Sequence, residues 1–85
     1  MMNLRDVLTT ADISVTEASV LFGVHRVTVH GWISGKQPRS PIVRRVMEKM
    51  TELMEKGIAA NRLPIHDVKK SERLPMLRRV LRDMA

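Results

Sequence analysis

The sequence predicts an all-α fold: a domain of four to five helices containing a helix-turn-helix, followed by a C-terminal helical extension. Three observations predict it. Between Ser14 and Pro38, two short amphipathic patterns lie either side of Gly23, and Gly35 closes the second. From Pro41 to Lys56, apolar residues recur every three or four positions with charged residues between them. The same period returns near the C-terminus at Leu74, Leu77, Val80, Leu81 and Met84.

Each element follows from local chemistry. Asn3 caps a first helix over residues 4–11, with Leu4, Val7, Leu8 and Ala11 on one face. Ser14 stands three residues before Glu17, a capping-box spacing that starts the second helix. Ala18, Leu21 and Phe22 form its apolar face, and Gly23 ends it in the left-handed conformation that only glycine adopts without a Cβ penalty. Val24 points inward and His25 takes the cap position of a third helix. Val29, Trp32 and Ile33 face in there, leaving Arg26, Val27, Thr28, His30 and Gly31 on the outer side or its margins. Ser40 and Pro41 start the fourth helix, residues 41–56, as cap and first residue. Its inward stripe is Ile42, Val43, Val46, Met47, Met50, Leu53 and Met54. Arg44 with Glu48 and Glu52 with Lys56 are spaced for ion pairs, and Gly57 supplies the stop. Ile58 to Lys70 contains Pro64 and no sustained period, so an extended connection with a turn of helix near Asp67 is expected. A last helix then begins at Ser71 or Pro75 and runs to Met84. The division is residues 1–57 as the helix-turn-helix domain and 58–85 as the extension.

Composition narrows the function classes. The chain has 85 residues and a formal charge of +6, which suits a polyanionic partner. No cysteine is present, so neither a disulfide framework nor a thiolate metal site is available. The apolar runs fall well short of the roughly 20 residues that cross a bilayer, and the opening residues do not resemble a secretory signal. The expected location is cytoplasmic, with no membrane partner. His25, His30 and His66 share no ligand spacing, so no metal is expected. Nor are a catalytic residue, a cofactor or a small-molecule ligand indicated.

Residues Leu4 to about Met50 resemble the Cro/repressor (Xre-like) helix-turn-helix family of phage and bacterial regulators. The likeness rests on Leu4, Arg5, Leu8, Ser14, Glu17 and Ala18, then on Phe22, Gly23 and Val24 at the turn. Thr28, Val29, Trp32, Gly35, Lys36 and Pro38 complete it. The resemblance implies a compact domain that binds a palindromic operator as a dimer and represses transcription. The chain departs from the family's pattern in three places. His25 is a poorer cap than the usual Ser or Thr. Gly31 stands where a long base-reading side chain is common. Leu8 and Ile33 stand where some relatives carry an Arg–Glu ion pair.

On this reading the partner is double-stranded DNA. The candidate base-reading residues are Arg26, Val27, Thr28 and His30. Arg26 has a donor fork that matches guanine O6 and N7, and Val27 suits a thymine methyl. Backbone contacts fall to Val15 and Thr16 at the start of the second helix, and to His25, Ser34, Lys36, Gln37, Arg39 and Ser40. No acidic residue lies between Glu17 and Glu48, whereas Arg26, Lys36, Arg39, Arg44 and Arg45 do. The C-terminal helix has two readings. It is expected to form a homodimer through Leu74, Leu77, Val80, Leu81 and Met84; the alternative is a strap over its own domain that covers Val20 and Leu21. The functional expectation is a homodimeric repressor, with regulation of its own promoter as the narrowest form of that reading. An architectural or packaging factor, or an antitoxin that autoregulates its operon, are the alternatives.

Overall fold

A computed structural model describes residues 2–85. Three short helices come first: α1 (Leu4–Ala11), α2 (Val15–Phe22) and α3 (Arg26–Ile33). A long α4 (Pro41–Ala59) and α5 (Arg73–Met84) follow, with one 3-10 turn over Lys70–Glu72 leading into α5. The fold is all-helical. Among the described residues no helix is long and apolar enough to cross a membrane.

The helix starts are made by the expected side chains. Asn3 Oδ1 accepts from the Asp6 amide at 2.8 Å, and Ser40 Oγ accepts from the Val43 amide at 3.4 Å. The capping box is complete: Glu17 N donates to Ser14 Oγ at 3.0 Å, and Ser14 N donates to Glu17 Oε1 at 3.0 Å. His25 occupies the cap position of α3 without a side-chain cap bond.

The ends of α1 to α4 share one device. At Asp12, Gly23, Gly35 and Asn61 the backbone turns to φ of 54°, 72°, 102° and 59°. After each, the next amide reaches back to a carbonyl five residues earlier: Ile13 to Leu8, Val24 to Ser19, Lys36 to Gly31 and Arg62 to Gly57. This is the Schellman arrangement, which satisfies the otherwise unpaired last carbonyls.

The predicted stop at Gly57 is corrected by this arrangement. Helix α4 runs through Gly57 to Ala59, and Asn61 makes the turn. Gly57 serves packing instead: a Cβ there would stand 2.8 Å from Leu63 Cδ1 and 3.4 Å from Val80 Cγ1. Its bare Cα lets the following segment and α5 close onto α4. Two smaller expectations also fail. The helical turn lies at Lys70–Glu72 and not at Asp67, which takes φ 56°. Glu52 and Lys56 pair at 3.4 Å, but Arg44 turns its Nη2 to the Pro38 carbonyl at 3.3 Å and makes no ion pair with Glu48.

One apolar cluster joins every helix. Leu4, Val7, Leu8 and Ala11 of α1 meet Ala18 and Phe22 of α2, Val29 and Trp32 of α3, and Leu53 and Met54 of α4. Leu63 and Ile65 from the connection and Leu77, Val80 and Leu81 of α5 complete it. Phe22 and Trp32 pack edge to face, with ring centroids 5.4 Å apart and planes at 89°, which fixes α2 against α3. The division at residue 57 therefore falls inside both a helix and the core.

The inward stripe predicted for α4 is buried over only part of its length. Leu53 and Met54 are buried, and Val43, Met47 and Met50 are half-buried, but Ile42 is 76% exposed and Val46 44% exposed. Length explains this. A 19-residue helix spans about 28 Å and its eight-residue neighbours about 12 Å. The first turns of α4 thus extend past the cluster.

Candidate nucleic-acid interface

Helix α3 divides cleanly into an inner and an outer side. Val29 is fully buried and Trp32 nearly so, which anchors the helix from below. At 3.6 residues per turn, Val27, Gly31 and Ser34 form the ridge opposite. Val27 is 80% exposed. Arg26 and His30 are exposed beside that ridge, and Thr28 is half-buried on its other flank.

The loop after α3 continues this surface. Its Schellman turn leaves Ser34, Lys36, Gln37, Arg39 and Ser40 exposed and buries only Pro38. Val27, Thr28 and Gly31 share one open groove with Lys36, Gln37, Arg39 and Ser40. The structure thus brings two of the four candidate base-reading residues together with four of the candidate backbone residues. Val15 and Thr16 lie elsewhere, in a groove formed by α1, the start of α2 and Arg73. Their amides are at the first positions of α2, where helix geometry leaves N–H groups without intrahelical partners. His25 is exposed at the junction of the turn and α3.

Charge is distributed unevenly over the surface. Arg26, Lys36, Arg39, Arg44 and Arg45 are all exposed, and among the described residues none is in an ion pair. The ion pairs that do form are Glu52–Lys56, Arg62–Asp83 at 3.1 Å, and Glu17–Arg73 at 2.7 Å. No described group of three His, Asp or Glu side chains is placed to hold a metal ion.

The dimerisation residues need correction. Leu77, Val80 and Leu81 are 0%, 2% and 4% exposed within their own chain, and Leu74 and Met84 are half-buried. Helix α5 spends its apolar face on α4 and α2, so that face is closed to a second copy. This is the strap arrangement, although Leu21 is covered only in part and Val20 remains 42% exposed.

One interaction of consequence has no signature in the sequence. Arg73 donates from Nε to Glu17 Oε2 at 2.7 Å, from Nη2 to Glu17 Oε1 at 3.2 Å, and from Nη2 to the Asp12 carbonyl at 2.7 Å. The Arg73 guanidinium, outweighing the opposing effect of burial, holds the Glu17 carboxyl below the usual carboxylate range. Glu17 in turn holds Arg73 further into its charged form. The capping spacing identified Glu17 as a helix starter. Nothing in local sequence could have paired it with a residue 56 positions away.

Comparison with protein-family models, with curated proteins and with solved structures gave no match to this chain.

Proposed function

We propose that this chain is a sequence-specific binder of duplex DNA that acts as a transcriptional regulator, repressing by occlusion of a promoter. One observation carries the reading. A short helix anchored by Val29 and Trp32 presents Arg26, Val27 and His30 to solvent, next to exposed Lys36, Arg39, Arg44 and Arg45, and none of these cations has an acidic partner among the described residues. A helix held in that way, preceded by a second helix and a tight turn, suits insertion into a major groove. In this reading Arg26 addresses guanine, Val27 a thymine methyl, and Thr28 and His30 the neighbouring base edges. Ser34, Gln37, Arg39, Ser40, His25 and the amides of Val15 and Thr16 hold the phosphates on either side. Two copies on an inverted repeat remain part of the proposal, with their contact outside the buried face of α5.

The test is selection of bound duplexes from a random pool at physiological salt. Enrichment of an inverted repeat with half-sites about one helical turn apart supports a dimeric regulator. Enrichment of a lone half-site supports recognition by a single copy. Binding without enrichment would favour an architectural factor, and no binding rejects the proposal. Arg26→Ala is expected to lose about 1–3 kcal/mol of discrimination at one base pair while keeping salt-sensitive nonspecific binding. Equal weakening on all sequences would assign Arg26 to phosphate.

A further inference from the structure

The position at the centre of the outer ridge of α3 carries no side chain of its own. Gly31 lies one turn after Val27 and one turn before Ser34, and in a helix interior a glycine costs about 1 kcal/mol relative to alanine. The space is occupied all the same. A Cβ built on Gly31 would be 3.5 Å from Lys36 Cδ and 3.9 Å from Lys36 Cβ, so the aliphatic stem of Lys36 lies across the bare backbone. The arrangement is fixed at its base, because the Lys36 amide donates to the Gly31 carbonyl at 2.9 Å and Gly35 turns the chain back with φ 102°. With the stem against the helix, the ammonium starts from a Cδ that lies on the α3 surface, within two bonds of it.

From this we infer that Lys36 is a base-reading residue, and that it supplies from outside α3 the long donor that position 31 lacks. The inference rests on the DNA-binding reading and deepens it. It also moves Lys36 from the phosphate-contacting set, where sequence alone placed it, to the groove floor. An ammonium has donors only, so the base edge it fits best is guanine, which alone offers two adjacent acceptors, O6 and N7. Val27 and Thr28 line the same groove, so the three side chains would address adjacent base pairs. Arg26, on the flank of the ridge, would read a separate guanine.

The experiment compares the wild-type chain with Lys36→Met, which keeps the stem and removes the charge, and with Lys36→Arg. Each is carried through the random-pool selection, then titrated against the selected site and its single-base variants at two salt concentrations. Far-ultraviolet circular dichroism confirms that all three are folded. Lys36→Met is expected to lose preference for guanine at one position by about ten-fold or more, leaving preferences elsewhere intact. Lys36→Arg is expected to retain that preference. If Lys36→Met instead weakens every duplex by one factor and flattens the salt dependence, Lys36 touches phosphate only and the inference is overturned. A wild-type chain that binds DNA without enriching any sequence also overturns it. Failure of the wild-type chain to bind at all removes the DNA-binding reading itself, so the two failures are distinguishable.

Discussion

Glu17 serves two structures with one carboxylate. Its Oε1 completes the capping box of α2 by accepting from Ser14, and both oxygens accept from Arg73 at the head of α5. The pair is mostly shielded, with side-chain exposures of 15% for Glu17 and 21% for Arg73. Charge-assisted hydrogen bonds of this kind contribute about 1.5–3 kcal/mol, reduced somewhat by solvent screening. Arg73→Ala is accordingly expected to cost about 1–2 kcal/mol at neutral pH, read as a lowered melting temperature. The pH dependence has a definite sign. The folded-state pKa of Glu17 lies below its ordinary value of 4.5, so its contribution is complete above that value. It is lost as pH falls through the folded-state value, while Arg73 stays charged throughout. Melting curves of wild type and Glu17→Gln should therefore differ at pH 7 and converge on acidification; a constant gap would show that the ionised pair contributes nothing.

At the scale of elements, two helical glycines invite the same substitution and should answer oppositely. In α3, an alanine at position 31 meets only the Lys36 stem at ordinary contact distance. Gly31→Ala is expected to stabilise the fold by about 1 kcal/mol through helix propensity. In α4, an alanine at position 57 meets Leu63 Cδ1 at 2.8 Å and Cγ at 3.0 Å, and Leu63 is itself buried with little room to shift. Overpacking of this kind costs about 1–3 kcal/mol and outweighs the gain in propensity. Thermal melts of the two variants should thus move in opposite directions, by about 4–8 °C per kcal/mol in a domain this small. If Gly57→Ala proved as stable as wild type, the tight approach of Leu63 would not constrain the fold. These glycines also mark what sequence could convey about the elements. Gly23 and Gly35 were legible as helix ends because a left-handed residue favours glycine. The same turn at Asp12 and Asn61 was not, since many Asp and Asn residues never adopt it. Gly57 misled for the complementary reason: what it permits is an approach by residues distant in the chain.

For the molecule as a whole, the outstanding fact is a single core with α5 inside it. Removal of residues 71–85 takes Leu77, Val80 and Leu81 from the cluster and uncovers the parts of α4 and α2 against which α5 packs. Loss of buried leucines alone costs about 2–5 kcal/mol each, comparable to the entire stability of a small domain. The truncated chain is expected to lose cooperative thermal unfolding. A sharp melt with native helicity would show that residues 1–70 fold alone. The amphipathic period of α5 was plain in the sequence, but a pattern of that kind states only that a face is covered and leaves its cover unnamed. The outer face of α3 was legible to a greater degree, because Val29 and Trp32 fix which side turns in and the remaining residues follow by rotation. The placement of Lys36 over Gly31 was not, because it depends on the path of the loop.

The guanidinium bridge from Arg73 to Glu17 and Asp12 has a consequence for the order of events in folding. It links residues 56 and 61 positions apart, so it closes about two thirds of the 85-residue chain into a ring. Local helices form in about a microsecond, whereas contacts of such separation must first meet the entropy of closing a long loop. The bridge is therefore expected to form after the barrier. Arg73→Ala should leave the refolding rate almost unchanged and accelerate unfolding by about five- to thirty-fold, the kinetic equivalent of 1–2 kcal/mol. Stopped-flow refolding that slowed by the same factor would put the bridge in the nucleus instead. On the expected outcome, Arg73 governs how long the native molecule lasts and has little part in how quickly it is reached.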